Sequence, residues 1–308
     1  MKFFDKDVKT CISELNKPSL SGLTYTLMSV LPVALSMLFL IVVAFLGVVI
    51  KQGEEPDWYI YCSYLLPQLS SLFILLIFMK CKQTSVKSIC RKVKWKYFLI
   101  AVVLQFGLFS FGKVNAWFLE TLGKIGYAEQ EVIVPSMDGF GFVGVLFAIA
   151  VLPAVFEELM CREFLLNGLK SFGTVFAVLV SGALFALYHQ KPEQTIYQFC
   201  CGMAFALVAI KSNSVFPTMI SHFLNNAFIL TVEKFGWQII NTPFLISSAI
   251  CLIGSLTYLI FFDKKQDFEE REKNVCIEEP KKKDFFIFSA IGIFTFGLTW
   301  LSKLFIGF

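Results

Sequence analysis

The sequence predicts an all-α fold: a polytopic transmembrane helical bundle of eight spans, with a candidate ninth at the C-terminus. Three observations predict it. Of 308 residues, 56% are apolar and only 16% are charged, whereas a soluble domain carries about a quarter charged. Mean hydropathy is +0.70. The apolar residues also fall in runs near the about 20 that a helix needs to cross a bilayer. A soluble two-domain enzyme is excluded, because no stretch of domain length has the polar surface to fold in water. The net charge of +4 does not point to nucleic acid, since the basic residues lie between apolar runs rather than in one stripe.

The predicted spans cover residues 23–50, 58–79, 97–112, 140–169, 174–189, 195–210, 215–235 and 244–262, each bounded by charges, Pro, Gly or Asn. A charged stretch, 263–284, follows and reads as a cytoplasmic linker. The last apolar run, 285–308, is long enough to be a further span or a membrane-associated helix. The first run is too long for a cleaved signal and reads as an uncleaved span. The nine cysteines are scattered without a CxxC pair, so neither a disulfide scaffold nor a thiolate zinc site is expected. Cys161 and the tandem Cys200–Cys201 read as apolar packing.

Orientation follows from Lys and Arg, which concentrate in cytoplasmic loops. Residues 80–96 hold seven basic residues and no acid, whereas residues 51–57 hold one Lys and three acids. With the N-terminus inside, 21 basic residues fall on the cytoplasmic side. Only Lys51, Lys113, Lys124, Lys191 and Lys234 fall outside, and Lys303 lies in the final run. The expected location is an integral membrane protein of a bacterial plasma membrane, with lipid as its surroundings.

An ionisable side chain inside a span costs at least about 2.5–3.5 kcal/mol on the insertion scale, so each one needs a reason. The fourth predicted span carries Glu157, Glu158, Arg162 and Glu163; the fifth ends in His189; the seventh carries His222, Asn225 and Asn226. His189 and His222 are the protein's two histidines. Glu158 and Arg162 are four apart on one helical face and are expected to pair. Glu157 is turned about 100° away and has no basic residue at that spacing. Glu163, nearer the cytoplasmic end, reads as solvated. At about 1.5 Å per residue, Glu157, His189 and His222 lie about 20, 22 and 16 Å from the cytoplasmic ends of their helices, so one cavity can hold all three. For any single residue, an interhelical hydrogen bond is an equally good explanation. The whole set at one depth exceeds what packing needs.

These residues form three motifs in order: EExxxR (Glu157, Glu158, Arg162), FxxxH (Phe185, His189) and HxxxN (His222, Asn226). The pattern resembles the CPBP family of intramembrane proteases, also called Abi or type II CAAX prenyl endopeptidase-like proteins. The resemblance covers residues 157–226. It implies an intramembrane protease of eight helices, with a catalytic core at about 140–235 inside a membrane domain of residues 1–262. It also implies that Glu157 and His189 activate a water while His222 and Asn226 stabilise the oxyanion. Glu158 and Arg162, with Phe185, would support them. The substrate would be a protein or peptide with a membrane-embedded or membrane-proximal cleavage site, and no nucleic acid is expected. Glu157, His189 and His222 would also serve as a zinc set. With no HExxH and with Asn a poor zinc ligand, a metal-free glutamate-activated water is the preferred reading. A proton-coupled transporter is the first alternative, although inverted repeats and broken helices are not apparent. A non-catalytic immunity or signalling accessory protein that keeps the fold is the second.

Overall fold

The computed structural model describes residues 17–51, 53–81, 84–129, 132–263 and 281–306, and within them the chain is helical with no strand. The membrane-class helices are α1 (Pro18–Phe45), α2 (Asp57–Lys80), α4 (Lys96–Leu108), α6 (residues 141–170), α7 (Thr174–Tyr188), α8 (Thr195–Ser212), α9 (Phe216–Phe235), α10 (Thr242–Thr257) and α11 (Lys282–Ile306). Two shorter helices are α3 (Val86–Ile89) and α5 (Phe111–Lys124). Starts follow the sequence: Pro occupies the first turn of α1, α9 and α10, where its missing N–H costs nothing. Positive-φ Asn213 ends α8 and Gly236 ends α9, as αL caps do.

Seven helices are long and apolar enough to cross a membrane. The final run is one of them: Lys282–Ile306 forms a single helix of 25 residues. The two that fall short carry the histidines. α7 has only 15 residues. α9 is interrupted by His222, Asn225, Asn226, Glu233 and Lys234, because a helix facing the protein interior need not be apolar all round. The third expected span is longer than predicted. Lys96–Leu108 is followed after two residues by Phe111–Lys124, in which Phe111, Val114, Phe118 and Leu122 recur at helical spacing while Lys113, Glu120 and Lys124 face elsewhere. None of its residues is buried. It is joined to the bundle by Phe111, which packs against the main core, and by Asn115, whose Nδ2 donates to Glu193 O at 2.7 Å. Beside it the Tyr127 hydroxyl donates to Glu193 Oε2 at 2.9 Å. Burial first, and that hydrogen bond next, hold the Tyr127 phenol above its ordinary range.

α6 is a composite helix. α-Helical segments Gly141–Val145, Leu152–Glu158 and Leu166–Lys170 alternate with π-helical turns Leu146–Val151 and Leu159–Leu165. The π-helical turn Leu146–Val151 runs into Pro153, which has no N–H to donate back into it, and Ile149 lies within that turn. The Asn226 side-chain amide of α9 donates to the Ile149 carbonyl at 2.9 Å. A backbone irregularity in a membrane helix is thereby satisfied by a neighbouring helix.

α1 is stitched to the site helices by buried polar groups. Ser21 Oγ donates to Phe164 O at 2.8 Å and accepts from Gly168 N at 3.0 Å, and the Tyr25 hydroxyl donates to Leu184 O at 2.9 Å. α11 lies along α1. Thr26 Oγ1 donates to Phe288 O at 2.6 Å, the Tyr25 and Phe296 rings meet at 5.2 Å, and a Cβ on Gly292 would stand 2.8 Å from Tyr25 O. The terminal run therefore packs along α1 within the described residues. Small residues permit this approach of two backbones. Gly292→Leu is accordingly expected to lower stability by about 1–3 kcal/mol, as overpacking does. Thermal unfolding of the purified protein in detergent measures it.

One end of the bundle gathers the basic loops. Arg91 Nη2 pairs with Glu163 Oε1 at 2.6 Å and its Nη1 donates to Asn213 Oδ1 at 3.2 Å. Lys96 pairs with Asp263, to which the Tyr97 hydroxyl also donates at 3.0 Å. Lys211 Nζ donates to Asp263 O at 2.8 Å. Glu163 is thus not solvated as its position suggested: it is 1% exposed and ion-paired. Asp263 aside, most of the predicted charged linker lies outside the described residues.

Candidate active site

The two adjacent glutamates of α6 have different surroundings. Glu158 is fully buried and accepts from Arg162 Nε at 3.0 Å, as the i,i+4 spacing predicts. Arg162 is also enclosed: Nη1 donates to Ser181 Oγ of α7 at 2.8 Å, and the guanidinium lies 4.7 Å from the centroid of Phe185 and 5.7 Å from that of Phe205. Such stacking suits a planar, weakly hydrated cation. Phe185 is therefore a packing wall for the arginine as well as the first residue of its motif.

Glu157 points the other way, with its Oε1 accepting from Gln68 Nε2 of α2 at 3.4 Å and its Oε2 4.0 Å from His222 Nε2. It is 8% exposed, and its surface faces a cavity of about 470 Å³ that is also lined by Tyr188, His189, His222, Asn225 and Asn226. Arg162 bonds Glu158 and leaves the Glu157 carboxylate unbridged by a base of fixed charge.

Hydrogen-bond partners settle which nitrogen of each imidazole faces the void. His222 Nδ1 lies 3.1 Å from Glu158 Oε1. The carboxylate paired with Arg162 can only accept, so Nδ1 carries the proton. His189 Nδ1 lies 2.8 Å from Phe185 O, again an acceptor. Both neutral rings thus turn an unprotonated Nε2 toward the cavity. With the one proton of the neutral His222 ring held at Nδ1 by Glu158, Nε2 can donate only as imidazolium. The Phe185 ring separates the two, 4.6 Å from His189 and 6.0 Å from His222.

Asn226 lines the cavity with one amide N–H committed to Ile149 O. Its neighbour Asn225, buried at 5%, holds it in place. Asn225 Nδ2 donates to Asn226 Oδ1 at 3.0 Å, while Asn225 Oδ1 accepts from Gln105 Nε2 at 2.9 Å and the Tyr197 hydroxyl at 2.6 Å. Gln68, Gln105 and Tyr197 were missed in the sequence. Uncharged amides inside apolar runs, such as Gln68 after Pro67, were the available signal. Gln68→Leu removes one hydrogen bond from the catalytic candidate and is expected to lower turnover about tenfold, read as kcat with KM unchanged.

Among the described residues, no three His, Cys, Asp or Glu side chains are grouped so as to hold a metal ion. Glu157 Oε2 stands 4.0 Å from His222 Nε2, and His189 lines the same cavity.

Residues 139–228 match the family model described as Type II CAAX prenyl endopeptidase Rce1-like. The matched segment runs from the start of α6 into α9 and contains all three motifs. The chain therefore carries a domain of the CPBP, or CAAX protease, family, set in a polytopic all-α membrane bundle. Among curated proteins and among solved structures, nothing matches.

Proposed function

We propose that this chain, with its Rce1-like domain, is an intramembrane endopeptidase that hydrolyses a peptide bond of a membrane-associated protein or peptide without a metal. The observation that carries the reading is the position of Glu157. It is a buried carboxylate at the cavity wall with its charged neighbour Arg162 committed to Glu158, and it stands 4.0 Å from His222 Nε2. That gap is too long for a direct hydrogen bond and is suited to a water touching both groups.

In this mechanism Glu157 and His189 hold the water, and Glu157 takes its proton as the oxygen attacks the scissile carbonyl carbon. The proton is shared with His222. As imidazolium, the ring directs an Nε2–H at the tetrahedral oxyanion, and the second N–H of Asn226 supplies another donor. Glu158 balances the positive ring from the far side, the part played by a carboxylate behind a catalytic histidine. The C–N bond then breaks and the stored proton passes to the leaving amine. Glu158, Arg162 and Phe185 act through His222 and are positioning residues.

The test compares membrane proteomes of cells carrying the native chain and Glu157→Ala at equal protein level. Peptides that accumulate uncut with the variant are expected. Equal peptide populations would overturn the reading and favour a non-catalytic partner that keeps the fold. Exhaustive chelation of the purified protein is expected to leave cleavage intact. Loss of cleavage that zinc restores would replace the metal-free mechanism by a zinc-dependent one.

A further inference from the structure

The cavity has a closed end and an open end, and these coincide with the two faces of the bundle. Toward the basic loops, α6 continues from Glu157 through Glu158, Met160, Arg162 and Phe164, all at most 2% exposed. Phe205 of α8, also buried, fills the space beside Arg162. Beyond them the ion pairs of Arg91 with Glu163 and Lys96 with Asp263 close the basic end. None of these residues lines the cavity.

In the other direction the lining is continuous. It runs from Glu157 and His222 past Gln68 to Gln194 of the α7–α8 turn, Glu233 near the end of α9 and Val134 of the segment before α6. The depth of the turn points the same way. α7 is 15 residues long and α1 is 28, about 22 Å against about 42 Å at 1.5 Å per residue. Counted from the basic end, the 189–194 turn therefore stops short of the far side of a hydrocarbon core about 30 Å thick. The turn is irregular, with Gln190 at φ 53° followed by a single 3-10 turn at Pro192–Gln194. Its carbonyls and the side chains of Gln190, Lys191 and Gln194 would be costly in lipid. Irregular backbone at that depth is tolerated where it is buried in protein, as Glu193 is, or lines a water-filled cavity, as Gln190, Lys191 and Gln194 do. The side chains of Gln194 and Gln198, one turn apart on the wall with Gln198 Nε2 donating to Gln194 Oε1 at 3.5 Å, can each donate to and accept from an extended peptide backbone.

We infer that the cavity holding Glu157 and His222 is a water-filled funnel entered from the face opposite the basic loops. The positive-inside bias makes that face extracytoplasmic. Its substrates are then polypeptide segments exposed on the extracytoplasmic side, not prenylated C-termini of cytosolic proteins. The choice of substrate class rests on the protease reading above, whereas the route of access does not.

The experiment labels cysteines with a membrane-impermeant maleimide in intact cells. Gln194→Cys is the probe, and Gln198→Cys is the second should the first fail to accumulate. Native Cys81, beside the basic loop, and Cys90 within it are exposed and mark the cytoplasmic face. Expected are labelling of the introduced cysteine in intact cells and labelling of Cys81 and Cys90 only after the membrane is opened. Labelling of the introduced cysteine only after opening, or from neither side, overturns the inference. Labelling needs no turnover, so repeating it on Glu157→Ala separates the two ideas. Unchanged labelling with an unchanged proteome sinks the protease reading and leaves the funnel standing. Where uncut peptides do accumulate, their cleavage sites are expected on the extracytoplasmic side, and cytosolic sites would overturn the substrate assignment.

Discussion

Glu157→Gln is expected to reduce peptide hydrolysis by the purified protein about 100- to 10,000-fold, the contribution of a positioned general base, with accumulation in the membrane unchanged. The substitution preserves shape and hydrogen bonding. An amide oxygen can still accept from Gln68 Nε2, and an amide NH2 can face the unprotonated Nε2 of His222. Only the capacity to take a proton is lost. Because the carboxylate has no fixed-charge partner, removing its charge strands no cation, which is why stability is expected to hold. The measurement is cleavage of a peptide found uncut in the Glu157→Ala membranes, alongside the unfolding temperature in detergent. Cleavage within threefold of native at equal stability would remove Glu157 from the base role.

Its neighbour Glu158 does have a fixed-charge partner. Arg162→Ala leaves the Glu158 carboxylate, 0% exposed, without its guanidinium, and breaking one side of a buried pair costs about 3–5 kcal/mol. The loss adds to that of the Ser181 hydrogen bond and the Phe185 stacking. A large drop in unfolding temperature and in protein level is expected, and Arg162→Lys should not restore them, because an ammonium cannot reproduce the planar contact. The double variant Glu158→Leu with Arg162→Leu is expected to be more stable than Arg162→Ala, since no buried charge remains unpaired. It should nevertheless be inactive, because His222 Nδ1 has lost its acceptor. An active double variant would show that Glu158 does not orient the ring.

Local spacing made much of this site legible. Four residues bring two side chains onto one helical face, and Arg162 indeed meets Glu158 rather than Glu157. Composition and run length gave the helical membrane class, and the motif order located the domain later matched at 139–228. Most helix ends were predicted to within three residues, but the first span was placed five residues late, at 23–50 against Pro18–Phe45. The end of the third span was missed at 113–124, where an amphipathic helix continues among charges that resembled a loop. Glu163 was misjudged because its partner Arg91 lies 72 residues away, beyond any local pattern.

The sequence by itself determined that this chain lives in a bilayer, that its basic loops share one side, and that a few ionisable groups lie at similar depth on three helices. Those properties follow from solvation cost and helical repeat, which act over a few residues. Tertiary structure decided which nitrogen of each histidine meets the cavity, that Asn226 bonds the Ile149 carbonyl, that Thr295, Phe296 and Thr299 of α11 help wall the cavity, and which end of the cavity opens. Each of these depends on side chains from helices distant in sequence. A hydrogen bond or a void between helices is set by how the helices pack, and no local periodicity encodes that.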